Sequence, residues 1–251
     1  MMRWNQSSAL YRFLYPSGGV GATVMEYVRM IGGALLLAAV IRTFIIEPYK
    51  IPSSSMMPTL LIGDYLFVSK YSYGTAIPFT NVILNESGPA RGDIVVFRTN
   101  IKGMGSTNYI KRVVAVPGDT VAYTNRQIVI NSAPMVLSPD GMFEHTDGGR
   151  DFGGQRFVEQ LGGITHSVLW RDPETIKNLP PVMVPSGMYV VVGDNRDDSF
   201  DSREWEYPSW GFVPRQAIVG RAEFLFWSWA SNFIPRFGRL FNSLRPHEVA
   251  P

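Results

Sequence analysis

Three consecutive serines, at positions 53 to 55, lie in a segment that could carry a nucleophile. The surrounding stretch PSSSMMPTLLIGD (52–64) holds methionines, leucines and an isoleucine that a solvated linker would not normally carry, so it is predicted to pack against a core. Pro52 and Pro58 favour an extended backbone, in which Ser53 and Ser55 would point the same way. A serine hydroxyl attacks a carbonyl at useful rates only when a base removes its proton.

Lys111 is the candidate for that base. In NYIKRVVAVPGD (108–119), strand alternation would place Tyr109, Lys111 and Val113 on one apolar face. Burial disfavours an ammonium, and a penalty of about 3 kcal/mol would leave the lysine half neutral near pH 8. The alternative is a lysine at a sheet edge whose ammonium reaches water. The other lysines lie in loops, in turns or at a membrane boundary: Lys50, Lys70, Lys102 and Lys177.

Other kinds of reactive site find little support. His145 and His166 lie in or beside a glycine-rich stretch and His247 lies near the end of the chain, so none is expected to be held rigidly. The absence of cysteine excludes thiolate nucleophiles and Cys-ligated metals. The acidic run DNRDDSFD (194–201) lacks the glycine and the final glutamate of an EF-hand loop. The sequence therefore predicts neither a metal nor a cofactor.

One apolar segment predicts a membrane anchor. The chain has 251 residues, of which 45% are hydrophobic and only 18% charged, and the run MIGGALLLAAVI (30–41) continues to Ile46. We assign 27–46 to a transmembrane helix; a buried core helix and a cleaved signal peptide are the alternatives. Arg3, Arg12 and Arg29 precede the run, which favours a cytoplasmic segment 1–26 and an extracytoplasmic domain 47–251. The balance of 23 Lys+Arg against 21 Asp+Glu argues against nucleic-acid binding.

The downstream domain is predicted to be mostly β. Five short β-branched or aromatic runs are bounded by turn residues: YLFV (65–68), DIVVF (93–97), YIKRVVAV (109–116), QIVI (127–130) and MYVVVG (188–193). A glycine-rich excursion around 138–187 is expected to be flexible and to lie outside the core. The segment FLFWSWASNFI (224–234) is either a final strand or a surface that enters the lipid interface.

Four ordered segments resemble the conserved boxes of the bacterial type I signal peptidases. They are PSSSMMPTLLIGDYLFVSKYSYG (52–74), RGDIVVF (91–97), YIKRVVAVPGD (109–119) and GDNRDDSFDSREW (193–205). The resemblance implies a two-sheet β domain on a transmembrane helix and a membrane-bound serine endopeptidase. Such an enzyme removes signal peptides from exported preproteins after small-x-small (A-x-A) sites.

The resemblance also implies roles for individual residues. Ser55, in S-M-x-P-T, would be the nucleophile, Lys111 the general base, and Ser53 with the backbone N–H of Ser55 the oxyanion hole. Ser199 would hydrogen-bond and orient the lysine, and an ion pair of Asp201 and Arg203 would support that loop. The substrate pockets would be formed by Ile51, Pro52, Met56, Leu60, Tyr109 and Ile110.

Two departures from the family pattern stand out. Ser54 occupies a position where many relatives have glycine, and the stretch between Arg203 and Gly211 is about five residues longer than the pattern. The expected partners are preproteins, the inner membrane and export machinery. The alternatives are a maturation peptidase with one dedicated substrate, a self-cleaving repressor and an anchored module that binds secretion partners without catalysis.

Overall fold

The structure is a computed structural model that describes residues 19–76, 83–84, 87–101, 105–172 and 178–248. Lys102, Lys177 and most of the predicted cytoplasmic segment 1–26 lie outside these ranges. The chain divides into two compact units at the junction of Ile45 and Ile46.

The first unit contains helix α1, Val20–Phe44. Val20–Thr43 is long and apolar enough to cross a membrane. Leu35, Leu36 and Leu37 are each more than 60% exposed, as suits a helix surface that faces lipid rather than a protein core. The helix begins before the predicted anchor 27–46 because VGATVME (20–26) continues the helical backbone although Glu26 interrupts the apolar run.

The second unit is built of strands, and three short 3-10 helices at Tyr71–Tyr73, Arg215–Ala217 and Phe237–Arg239. The described strands are β1 Ile46–Lys50, β2 Asp64–Ser69, β3 Thr75–Ala76, β4 Ile83–Leu84, β5 Ile94–Ile101, β6 Gly105–Ala115, β7 Thr120–Thr124, β8 Gln127–Ile130, β9 Ala133–Pro134 and β10 Leu137–Phe143, followed by β11 Thr146–Asp147, β12 Arg150–Asp151, β13 Gly154–Leu161, β14 Ile164–Trp170, β15 Leu179–Met183, β16 Met188–Val192, β17 Val213–Pro214, β18 Ile218–Ser228 and β19 His247–Glu248.

The strands pair into one large sheet and several smaller ones. The large sheet has the order β1-β2-β18-β5-β6-β16-β17, and two four-stranded sheets have the orders β15-β7-β8-β9 and β10-β13-β14-β19. The hairpins β3-β4 and β11-β12 complete the described sheets. The mostly β fold is confirmed, and β2, β5, β6, β8 and β16 confirm the five predicted strands.

The described residues of the domain form four clusters of buried apolar side chains, two of which position the site. The first joins the large sheet to the β15-β7-β8-β9 sheet, and it includes Val114 and Val192 on one side and Val121 and Ile128 on the other. The second packs Met56 and other residues of the serine-rich segment onto the large sheet, as the composition of that segment predicts. The large sheet therefore carries both the serine segment and Lys111, which lies on β6.

The glycine-rich excursion corrects the sequence interpretation. Residues 137–170 form β10, β13 and β14, and Leu161, Val168 and Leu169 on these strands are buried. The prediction that this stretch lies outside the core is wrong because several of its glycines connect strands: Gly148 and Gly149 lie between β11 and β12, and Gly162 lies between β13 and β14, where a positive φ suits a tight turn. Gly141, also with positive φ, lies at an irregularity within β10. The stretch is a sheet with glycine-rich connections.

The segment 224–234 is partly a strand and partly an exposed turn. Its first residues complete β18, which agrees with the final-strand interpretation. The remainder leaves Phe233 81% and Ile234 58% exposed, and Phe237 and Phe241 beyond it are also exposed. Large apolar side chains are therefore concentrated on the surface that follows β18.

Candidate active site

Ser55 is the serine that meets Lys111. The Lys111 ammonium nitrogen donates to Ser55 Oγ at 2.7 Å and to the Ile110 carbonyl oxygen at 2.9 Å. Both side chains are buried, with 7% of Ser55 and 4% of Lys111 exposed. Ser54, which could be mistaken for the nucleophile in the sequence, instead directs its hydroxyl to Asp198. The contact between Lys111 and Ser55 is the geometry that a hydroxyl nucleophile and its base require.

The protein environment makes Lys111 a usable base near neutral pH. Burial lowers the pKa of Lys111 to about 8, and the nearby Arg203 also lowers it, while Asp201, Asp194 and Asp198 raise it. A lysine that loses its proton near pH 8 has a lone pair that can take the Ser55 proton. The sequence-based expectation of a buried lysine with a lowered pKa agrees with this environment.

Turns, and not an extended chain, present Ser55. The Met57 backbone N–H donates to Ser54 O at 3.0 Å and the Leu60 N–H to Met56 O at 2.9 Å. The expectation of an extended segment is therefore wrong: these local hydrogen bonds and the burial of Met56 and Met57 fold it into consecutive turns. Ser53 Oγ still lies 3.4 Å from Ser55 Oγ. A donor at Ser53 is thus close enough to reach an oxyanion formed at Ser55.

A second segment, the 193–203 loop, lies against Ser55. A Cβ atom on Gly193 would come within 2.4 Å of the Ser55 carbonyl oxygen and 2.2 Å of Ser199 Oγ, so only glycine fits there. The Asn195 backbone N–H donates to Ser55 O at 3.2 Å. This close approach fixes the position of Ser55 relative to the loop.

Asp201 organises the end of the 193–203 loop. Ser199 Oγ donates to Asp201 Oδ2 at 2.6 Å, and Arg203 donates to both carboxylate oxygens at 2.8 and 2.9 Å. Burial raises the pKa of Asp201, but the Arg203 guanidinium and the hydrogen bonds from Gly193 and Ser199 together hold that pKa below its usual range. The Asp201–Arg203 ion pair expected from the resemblance is present, although turns, and not an extended stretch, bring the residues together.

Among the described residues, Ser199 does not hydrogen-bond Lys111, although the family resemblance implies that it would. Its hydroxyl hydrogen-bonds Asp201, whereas the hydrogen bonds of Lys111 within the described part of the chain go to Ser55 and Ile110. The carboxylate of Asp201 competes for the Ser199 proton because a charged acceptor binds a hydroxyl more strongly than a neutral amine does. Ser199 and Lys111 nevertheless line the same cleft.

The cleft at Ser55 has a volume of about 540 Å³. Its lining consists mainly of polar side chains: Ser53, Ser54, Ser55, Tyr109, Lys111, Asp197, Asp198, Ser199, Phe200 and Glu204. Of the six residues predicted to bind substrate, Tyr109 lines this cleft, and Ile51 and Pro52 line a neighbouring groove. Met56 and Leu60 are fully buried, so they support the cleft from the core side.

Ile110, the last of the six, is also largely buried, in the same apolar cluster as Met56 and Leu60. Phe200, Asp198 and Glu204 were not anticipated from the sequence because nothing in the acidic run distinguishes residues that face the cleft from those that face solvent.

The sequence did not predict a buried network of charged residues that includes two members of the 193–203 loop. Arg112 donates to Asp194 at 2.8 and 2.6 Å, and Arg196 donates to Glu159 at 2.9 Å. His166 joins the two pairs, with Nε2 at 3.0 Å from Glu159 and Nδ1 at 3.5 Å from Asp194. The expectation that no histidine is held rigidly is therefore wrong for His166.

Burial and the nearby Arg112 lower the pKa of His166. Alternation along the two excursion strands was the available signal, because it places Glu159 and His166 opposite each other in register. The network joins β14 to the 193–203 loop, and so the excursion supports the site.

The chain is similar to known proteins over most of its length. The family described as "Signal peptidase, peptidase S26" matches residues 24–227. Signal peptidase I of Pseudomonas fluorescens is 36% identical over 229 residues, covering 86% of this chain and 78% of the relative. Signal peptidase I of Haemophilus influenzae is 31% identical over 274 residues, covering 88% and 76%. A solved signal peptidase I from Enterococcus faecalis is 23% identical, with a TM-score of 0.29, and covers 54% of this chain and 97% of that one.

Proposed function

The chain belongs to the signal peptidase family, peptidase S26, and on that premise we propose that it cuts exported preproteins after small-x-small sites with a Ser55–Lys111 dyad. Family membership makes it a protease that removes signal peptides, and α1 fits a membrane-anchored protein. The observation that carries the dyad is the 2.7 Å contact between Lys111 and Ser55 in a buried site.

In the acylation step, neutral Lys111 accepts the Ser55 proton while Ser55 Oγ bonds to the carbonyl carbon of the residue before the cut. The carbonyl oxygen becomes an oxyanion that the Ser53 hydroxyl and the Ser55 backbone N–H stabilise. The intermediate collapses, the C–N bond breaks, and the leaving amine takes the proton from Lys111. The signal peptide remains as an ester on Ser55.

In the deacylation step, Lys111 accepts a proton from water as the water oxygen bonds to the ester carbon. The C–O bond to Ser55 then breaks, Ser55 regains its proton from Lys111, and the signal peptide leaves as a carboxylic acid that gives its proton to solvent. Asp201, held by Arg203, keeps the loop beside Lys111 in place through both steps.

The substrate is proposed to bind as an extended chain. β1 lies at the edge of the large sheet, with β2 on one side and no other described strand on the other. An edge strand offers backbone donors and acceptors to an added strand, although Pro48 on β1 lacks an N–H. β1 leads into Ile51 and Pro52, so a peptide bound there would continue towards Ser55.

Specificity for small residues is proposed to follow from the walls of this path. Ile51 is packed in the core, and the Tyr109 ring is stacked on the Phe97 ring with 5.7 Å between centroids. Neither side chain can therefore move aside easily to make room for a large substrate residue. Peptides with alanine or glycine before the cut should be processed, whereas phenylalanine or leucine should block cleavage. Equal cleavage of both kinds would contradict the small-pocket model.

The direct test uses the detergent-solubilised full chain and a peptide that contains an A-x-A site, with the cut located by mass spectrometry. Cleavage after the second alanine is expected, and Ser55→Ala should abolish it. Ser53→Ala should lower kcat by about 10² to 10³ with little change in substrate binding. The rate should rise with pH around 8 as Lys111 loses its proton.

The proposed location is the bacterial inner membrane, with the amino terminus in the cytoplasm and 47–251 outside. It rests on the one apolar helix of membrane-spanning length among the described residues and on the arginines that precede it. Protease added to spheroplasts should digest the large domain and spare the first 30 residues. Protection of the large domain would overturn this orientation. Export machinery and the lipid bilayer are the further partners proposed for this location.

A further inference from the structure

Ser54 is a polar residue beside the nucleophile that the mechanism does not use. Its hydroxyl donates to Asp198 Oδ2, in the 193–203 loop. Its carbonyl oxygen accepts from Asn195 Nδ2 at 3.2 Å, and the neighbouring Ser55 carbonyl accepts from the Asn195 backbone N–H at 3.2 Å. Three hydrogen bonds therefore join two consecutive residues, one of them the nucleophile, to a single loop.

Asp198 is held less firmly than the other carboxylates near Lys111. Asp201 is bound by buried Arg203, whereas the Asp198 side chain is 46% exposed and its arginine neighbour, Arg171, is 3.8 Å away and 33% exposed. Such an exposed pair contributes little to holding a side chain in place. The Ser54 hydroxyl is therefore the contact that fixes Asp198 towards the nucleophile.

The charged groups with the largest effects on the pKa of Lys111 come from the 193–203 loop, although Asp197 and Glu204 also line the cleft. They are Asp201, Asp194, Arg203 and Asp198, in decreasing order of effect. Asp194 is neutralised by Arg112 and Asp201 by Arg203. Asp198 is thus the carboxylate in this set whose charge can be changed without breaking a buried ion pair.

We propose that Ser54 and Asp198 form a positioning pair for the reaction at Ser55. Their hydrogen bond holds the backbone of Ser54 and Ser55 against the 193–203 loop, and it keeps the Asp198 carboxylate at a fixed distance from Lys111. The inference rests on the proposed function of Ser55 and Lys111. Neither Ser54 nor Asp198 exchanges a proton with the substrate in this scheme.

Steady-state kinetics of the full chain in detergent, with the A-x-A peptide, test the positioning role. Ser54→Ala and Asp198→Ala should each lower kcat about tenfold and leave KM within about twofold, because a hydrogen bond to a charged group is lost while the substrate contacts remain. The double variant should be no slower than the slower single variant, because both changes remove the same contact.

The pH dependence of the cleavage rate distinguishes the effect of the Asp198 charge from the effect of its hydrogen bond with Ser54. Asparagine at position 198 can still accept from Ser54, so Asp198→Asn should keep kcat within about threefold of wild type. Loss of the negative charge removes an influence that raises the pKa of Lys111, so the rise in rate should move to lower pH by about half a unit. Ser138→Ala and Asp140→Asn, on β10, are the matched controls and should change neither quantity.

The outcomes distinguish this inference from the function on which it rests. If the wild-type chain fails to cut the peptide, the proposed function is wrong. If the wild type cuts but Ser54→Ala stays within twofold of it, or the single losses multiply in the double variant, the positioning pair is wrong and the dyad stands. If Ser54→Ala fails to fold, the Asp198 variants decide, because that side chain is half exposed.

Discussion

Lys111 and Lys70 show how the surroundings of a lysine determine its chemistry. Lys70 lies 3.2 Å from Glu47, and both side chains are partly exposed. Lys111 is buried, and the carboxylate of Asp201 near it is already bound by Arg203. A buried ammonium without a carboxylate of its own is disfavoured, which keeps the pKa of Lys111 near 8.

Lys111→Arg should abolish cleavage while the chain still folds and inserts in the membrane. Arginine keeps the positive charge but does not lose its proton in the working pH range, so it cannot accept one from Ser55. Lys70→Arg is the matched control and should cut the A-x-A peptide at nearly the wild-type rate. Substantial peptidase activity in folded Lys111→Arg would remove the dyad mechanism.

Lys111→Met should stabilise the domain at neutral pH. The folded-state pKa of about 8 lies below the unfolded value of 10.5, so the protonated lysine opposes folding. This penalty, of up to about 3 kcal/mol, is fully present below pH 8 and disappears as pH rises towards 10.5. Thermal unfolding should show a higher Tm than wild type at pH 7 and a smaller difference at pH 9.5. A Tm gain that does not shrink with pH would point to another cause.

The choice of Ser55 as the partner of Lys111 followed from the family resemblance, whereas a serine of 53–55 and Lys111 as candidates were predictable from residue type and strand alternation. The hydroxyl of Ser54 was not, since its direction depends on turns formed by the hydrogen bonds of Met57 and Leu60. The partner of Ser199 could not be predicted either, because its choice between Lys111 and Asp201 depends on distances that sequence spacing does not give.

At the scale of elements, β14 of the glycine-rich excursion supports the reactive loop. The Leu169 backbone N–H donates to Asp194 O at 2.8 Å, and the Arg196 N–H donates to Leu169 O at 2.9 Å. This pairing could not be predicted from the sequence, since the two segments are more than twenty residues apart. The central strands were predictable because their β-branched runs are continuous.

Trp205 lies in the longer loop between Arg203 and Gly211, and its ring packs near Tyr109, which lines the cleft. Its ring lies 6.2 Å from the Tyr109 ring and 5.9 Å from the Phe97 ring. Trp205→Ala should lower the free energy of unfolding by about 2 to 3 kcal/mol and let Tyr109 move back.

The enlarged pocket should admit leucine before the cut, so the ratio of kcat/KM for leucine and alanine peptides should rise. Tyr207→Ala, in the same loop but 53% exposed, is the control and should leave that ratio unchanged. An unchanged ratio in Trp205→Ala would show that the loop does not shape the pocket.

At the scale of the whole molecule, the exposed side chains that follow β18 form an apolar surface on a chain that also carries a helix long and apolar enough to cross a membrane. Phe233 is 81% exposed, Phe237 66% and Phe241 76%. Burying one such ring in lipid gains about 1.5 to 3 kcal/mol. We therefore expect this surface to enter the lipid interface, as the second sequence interpretation of 224–234 holds.

Replacing Phe233 and Phe237 together by serine tests this contact in liposomes. The double variant should process a membrane-embedded preprotein more slowly, by about tenfold, and cut a short soluble peptide at the wild-type rate. Tryptophan fluorescence should also be quenched less by brominated lipid. Met183→Ser, an exposed apolar residue on β15, is the control. Equal loss on both substrates would mean that the phenylalanines act on the fold.

Only a short stretch of chain separates the end of α1 from Ser55, and its length bears on which bonds Ser55 could reach. The helix ends at Phe44, and Ser55 follows eleven residues later along the chain. Even fully extended, those residues reach only about 37 Å. A preprotein whose scissile bond lies farther from its own membrane-spanning helix must therefore bend back towards the lipid before Ser55 can reach it. The length of the polar stretch between that helix and the bond would then decide which exported chains mature quickly, independently of the residues at the cut.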